Sequence, residues 1–110
     1  MSKTYVIDID GTICFNGDCS SCKYAGSTPK YDRIEKINQL YDNGNIIKYF
    51  TARGMGRYKD DAQKAKDKFY NLTKMQLDIW GCKYHELILG KPSGDIYIDD
   101  KGIKDNDFFN

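Results

Sequence analysis

At 110 residues the chain has material for one hydrophobic core, so a single domain over residues 1–110 is expected. Its 40% hydrophobic and 30% charged residues are ordinary for a folded soluble protein, and a net charge of +1 gives no global pull toward nucleic acid or an anionic membrane. No apolar run approaches the ~20 residues that a membrane span needs.

Residues 1–10 (MSKTYVIDID) enter a strand-like pattern at once, without an apolar h-region or a small-residue cleavage site. A cytoplasmic location is the expectation, and the four cysteines are then thiols or metal ligands rather than disulfides. Thr4–Ile9 reads as a buried strand that runs straight into Asp10-Gly11. Residues 11–29, rich in Gly, Ser and Cys, read as a loop. Thr28-Pro29 looks like a helix N-cap with proline at the first helical position. Ile34, Ile37, Leu40 and Tyr41 supply the buried stripe of that helix, Tyr31 fits the same stripe, and Asn43-Gly44 stops it.

Asn45–Phe50 reads as a second strand, ending in Thr51-Ala52-Arg53-Gly54. Residues 59–80 carry Ala62, Ala65, Phe69, Leu72, Leu77 and Trp80 at helical spacing, with a break near Asn71 left open, and Gly81 ends the region. His85–Leu89 reads as a third strand and Asp95–Ile98 as a fourth, running into Asp99-Asp100. The tail 101–110 is too polar for an independent element, although Phe108 and Phe109 can fold back onto the core. Strands alternating with helices predict an α/β domain with a mainly parallel sheet, with ligands gathering beyond the carboxyl ends of the strands.

The candidate chemistry sits at those ends: Asp8 and Asp10 after the first strand, Thr51 after the second, Lys91 after the third, Asp99 after the fourth. Asp8 and Asp10, at i and i+2 on an extended segment, point to one side. Gly11 permits a sharp turn whose N–H groups, with Thr12, can receive phosphate oxygens. Crowded carboxylates raise one another's pKa unless a cation neutralises them, and oxygen ligands in an incomplete shell suit Mg²⁺. A carboxylate can attack phosphorus, a second can serve as acid and base, and a hydroxyl and an ammonium can hold the equatorial oxygens.

DIDGT, FTARG, GKP and IYIDDKG, in that order from residue 8 to residue 102, resemble the four signature motifs of the haloacid dehalogenase superfamily. The nearest likeness is to short phosphatases of capsule-biosynthesis or phage type. The resemblance implies a Rossmann-like sheet of about four strands in the order 4-1-2-3, with helices on both faces. It makes Asp8 the nucleophile and Asp10 the acid/base, with Thr51 and Lys91 on the phosphoryl group. Gly11, Thr12, Ala52 and Arg53 would meet the substrate. Mg²⁺ would be held by Asp8, the backbone carbonyl of Asp10 and Asp99, with Asp100 a further ligand or a partner behind it. The cap domain of larger members is missing: residues 11–29 suffice only for a flap. An open pocket suits a large substrate, or a small one closed in by a second copy of the chain.

Cys19-Ser20-Ser21-Cys22 and Cys82-Lys83-Tyr84-His85 together imitate a zinc site. The first pair follows the first strand and the second precedes the third, so in a parallel sheet they lie about a strand length, ~17 Å, apart. Cys14, Cys19 and Cys22 with Asp18 remain an alternative metal set beside free thiols. His85 reads as a surface residue at a strand start. Tyr24 and Tyr58 could stack on a sugar or base, and Tyr49 and Tyr97 fall in strands. The expected function is hydrolysis of a small phosphate ester. The rivals are a phosphatase for nucleic-acid ends, with Arg53, Arg57, Tyr58 and Lys59 as its rim, and a non-catalytic binding module.

Overall fold

A computed structural model of the chain describes residues 2–16 and 23–110. In chain order the elements are β1 (Thr4–Ile7), β2 (Cys14–Phe15), a 3₁₀ turn (Lys23–Gly26) and β3 (Thr28–Pro29). There follow α1 (Tyr31–Asp42), β4 (Ile46–Thr51), α2 (Ala62–Ile79), β5 (Glu86–Leu89) and α3 (Asp105–Phe109). β1, β4 and β5 form a parallel sheet in the order β1-β4-β5, with Ile7 opposite Tyr49 and Tyr49 opposite Leu87. This is the α/β architecture expected, with the first three predicted strands as neighbours in the predicted sequence.

The row Ile7, Tyr49 and Leu87 faces the core with Ile9, Ile47, Ile34, Ile37, Leu77 and Trp80. Ile34 and Ile37 come from α1 and Leu77 from α2, so both long helices cover the same face. This corrects the expectation of helices on both faces. Two right-handed crossovers that step in one direction along a sheet must put both helices on one side. The other face carries Val6, Lys48 and Glu86 in one row, and Val6 is 61% exposed.

The predicted fourth strand is not formed. Asp95–Ile98 lies outside every sheet, with Ile96 78% and Ile98 91% exposed. A parallel return from β5 to the far edge beside β1 takes a dozen or more residues, and Gly90–Gly94 is far shorter.

The other boundaries shift for local reasons. Thr28-Pro29 does not begin α1; it pairs antiparallel with Cys14–Phe15 and closes the neck of the flap, and Lys30 N donates to Ile13 O at 2.8 Å. Proline fits such a two-residue ladder because it needs no N–H there. α1 therefore starts at Tyr31, which is 62% exposed rather than part of the stripe. α2 is one unbroken helix, started by Asp61, whose side chain accepts from Lys64 N at 3.1 Å. The polar tail does form an element, α3. Phe109 packs against the core, and Arg33 Nη1 reaches Asp105 Oδ2 at 2.7 Å. No helix among the described residues is long and apolar enough to cross a membrane.

Candidate active site

At the carboxyl edge of the sheet a cleft of about 250 Å³ is lined by Asp8, Asp10, Tyr24, Thr51, Ala52, Arg53, Lys91 and Tyr97. Three strand ends thus deliver the predicted residues to one place. Asp8 follows β1, and Thr12 Oγ1 donates to its Oδ2 at 3.2 Å while Lys91 Nζ stands 3.7 Å from its Oδ1. Burial pushes the Asp8 carboxyl above its ordinary range, and Lys91 works against that rise. Thr51, at the last position of β4, is 1% exposed, and its Oγ1 accepts from Arg53 N at 3.1 Å, which leaves the hydroxyl proton free to point elsewhere. Lys91 is tied to β4 by its N–H, which donates to Thr51 O at 3.2 Å, and its ammonium sits 4.3 Å from the centre of the Tyr97 ring.

Arg53 lines the cleft, but its guanidinium is already engaged by neighbouring side chains. Its side chain is buried at 1% exposure, and the guanidinium faces inward. Nε and Nη2 grip Asp10 Oδ2 and Oδ1, each at 3.0 Å; Nη1 donates to Thr73 Oγ1 at 3.1 Å and to Gln76 Oε1 at 2.6 Å. It is therefore an internal partner of Asp10. The expected roles of Gly11 and Thr12 also change. Gly11, at φ 82°, makes the sharp turn, but its N–H donates to Cys14 O at 3.0 Å and that of Thr12 to Ile9 O at 3.1 Å. Those two donors hold the turn rather than a phosphate.

Tyr24, Thr73, Gln76 and Tyr97 complete the site in ways the sequence did not assign. Tyr24 comes from the flap; its ring lies edge-on to Phe69 at 4.9 Å and 4.8 Å from the Arg53 guanidinium carbon. Gly54 N donates to its hydroxyl at 3.0 Å. Glycine is required at 54: its φ is 81°, and a Cβ there would stand 2.7 Å from Phe69. Thr73 and Gln76 were legible only as polar residues on an otherwise apolar helix stripe.

Asp99 and Asp100 lie outside the cleft and are exposed. Asp99 Oδ1 accepts from the N–H groups of Lys101 at 2.6 Å and Gly102 at 2.5 Å, closing a turn two residues beyond Tyr97. Among the described residues no three His, Cys, Asp or Glu side chains come together as a metal cage. The cleft offers the Asp8 carboxylate as an oxygen donor, while the Asp10 carboxylate is engaged by Arg53. Such a sparse all-oxygen set fits Mg²⁺, which keeps several waters and binds through one or two carboxylates together with substrate phosphate.

Of the cysteine readings, Cys19, Cys22 and Asp18 lie outside the described residues. Cys14 is buried, with its thiol on Ile9 O and Asp10 Oδ1 at 3.6 Å each. His85 serves the sheet: its Nδ1 accepts from Ile47 N at 3.1 Å and its ring stacks on Tyr41 at 4.7 Å.

No protein-family model matches the chain, and no curated protein does. Among solved structures it is similar to a crystal structure of a target protein from Vibrio cholerae, at 28% identity and a TM-score of 0.84. That similarity covers 99% of this chain and 88% of the other. The α/β class, with its parallel three-stranded sheet and helices, is thus shared with a folded protein of nearly equal length.

Proposed function

We propose that the chain is a Mg²⁺-dependent phosphomonoester hydrolase of the haloacid dehalogenase type, acting through an aspartyl-phosphate on Asp8. The observation that supports it best is the meeting of Asp8, Asp10, Thr51 and Lys91 in one cleft at the carboxyl edge of a parallel sheet. In the first half-reaction an Asp8 oxygen attacks phosphorus, the bond to the ester oxygen breaks, and Asp10 gives that oxygen its proton. In the second, water attacks the phosphoryl group, Asp10 takes the water's proton, and the Asp8–phosphorus bond breaks to release inorganic phosphate. Lys91 and Thr51 hold the equatorial oxygens through both steps. Mg²⁺ bound at Asp8 and the Asp10 carbonyl would screen the carboxylate from its anionic target.

A sugar phosphate or another small phosphorylated metabolite is the favoured substrate. A cleft of about 250 Å³ holds a phosphoryl group and a small organic remainder. The nucleic-acid reading is weakened because its rim loses Arg53 to the interior, and the Tyr24 ring is occupied by Phe69 and Arg53.

The test is Mg²⁺-dependent phosphate release from sugar phosphates, nucleotides and phosphorylated oligonucleotides, with Asp8→Asn as control. Turnover of one class that EDTA and Asp8→Asn both abolish is the expected result. Silence of the wild type on every class, with Mg²⁺ still bound, would favour a binding module instead.

A further inference from the structure

A buried guanidinium is costly unless every donor is used, so its partners reveal what it is for. Arg53 spends two donors on the two oxygens of Asp10, a planar fork that fixes the carboxylate in direction as well as distance. Nη1, on Thr73 and Gln76, ties the fork to α2. Gln76 Nε2 then donates to Tyr24 O at 2.6 Å, so the same chain of contacts ends on the flap. Asp10 Oδ1 is shared between Arg53 and the Cys14 thiol, whereas Oδ2 has Arg53 alone among the described residues. Oδ2 is the oxygen with more capacity left for a proton transfer.

We propose that Arg53 is a positioning residue: held by Thr73, Gln76 and the flap residue Tyr24, it aims the Asp10 carboxyl at the departing oxygen of the substrate. The proposal rests on the phosphatase reading, in which Asp10 supplies the proton. It assigns Arg53 no contact with substrate.

Leaving groups separate this role from the others. An alkyl phosphate needs its departing oxygen protonated as the bond breaks, while a dinitrophenyl phosphate departs without help. General acid catalysis is worth roughly 100-fold or more. For Arg53→Lys, which keeps the charge but loses the fork, kcat/KM on the alkyl ester should fall roughly 100-fold. The fall on the aryl ester should be at least about tenfold smaller, with the same pattern in Asp10→Asn. Gln76→Met should shift the ratio in the same direction by a smaller factor, and it decides the matter if Arg53→Lys does not fold.

Equal losses on both esters would mean a merely structural residue and overturn the proposal. A raised KM with unchanged kcat on both would mean that Arg53 binds the substrate anion, and would overturn it too. A wild type silent on both esters overturns the phosphatase reading itself, and the proposal with it, which is a result distinct from either.

Discussion

Lys91 Nζ and Asp8 Oδ1 stand 3.7 Å apart, beyond a direct hydrogen bond, with the Asp8 carboxyl raised by burial and only partly compensated by that ammonium. A carboxylate held so is under-satisfied, which suits the nucleophile role proposed for Asp8. It also has a cost that can be measured without substrate.

Because the folded pKa of Asp8 lies above its ordinary 3.8, the native state binds the proton more tightly than the unfolded chain. The resulting penalty is absent below the ordinary pKa, grows as pH rises through the folded value and is complete above it. Asp8→Asn should therefore be more stable than wild type at neutral pH in EDTA. The gap in thermal midpoint should close toward pH 4, as judged from circular-dichroism melts.

Removing the ammonium acts in the opposite direction on the same group. Lys91→Ala withdraws the contribution that lowers the Asp8 pKa, so the acid limb of kcat/KM should move to higher pH. On the proposed mechanism the plateau should also drop by roughly 100-fold or more, because Lys91 would no longer stabilise the transferring phosphoryl group. A pH–rate profile of the variant against wild type reads both effects.

Burial pushes the Cys14 thiol up to about 11 and that of Cys82 up to about 12. The thiolate is the reactive form, so neither should be alkylated by iodoacetamide at pH 8 in the native protein. Both should react once the chain is unfolded in urea. Peptide mapping by mass spectrometry assigns the label to each position.

Arg33 fastens the C-terminal helix. It donates to Asp105 Oδ2 at 2.7 Å, to Asn106 Oδ1 at 3.0 Å and to Thr12 O at 3.0 Å, and its guanidinium carbon lies 4.7 Å from the Phe109 ring centre. Arg33→Ala should cost about 1–2 kcal/mol in urea unfolding and expose the tail to proteolysis. The hydrogen bond from Arg33 holds the Asp105 carboxyl below its ordinary 3.8. The Asp105 share of that stability is present above 3.8 and is lost as pH falls through the lower folded value, so variant and wild type should converge in acid.

Much of the sheet and site was readable because the signals were local. A β-branched run into Asp10-Gly11 marks β1, and the strand into Thr51-Ala52-Arg53-Gly54 marks β4. The carboxyl-end rule then brings Asp8, Asp10, Thr51 and Lys91 together from three separate segments. The failures were of another kind. Asp95–Ile98 has a strand's residue types, but whether a strand forms depends on reaching a partner, and the preceding link is too short. Helix placement followed from the direction of the crossovers, which periodicity does not carry. Arg53 is expected to meet the substrate because it lies two residues after Thr51; the signal for its inward partners is Thr73 and Gln76, polar residues on a buried stripe that had to be hydrogen-bonding something inside.

The most direct measurement is a search for the covalent intermediate. Asp10→Asn, incubated with Mg²⁺ and dinitrophenyl phosphate, then acid-quenched and digested, should carry one phosphoryl group on Asp8, labile to hydroxylamine. The first half-reaction needs no acid with that leaving group, and the second lacks its base. Burst release of one equivalent of the nitrophenol, with the label mapped to Asp8, is the expected result. Steady turnover by the wild type with no phosphoryl group on Asp8 in any quenched sample, or a label on another residue, would contradict the nucleophile assignment.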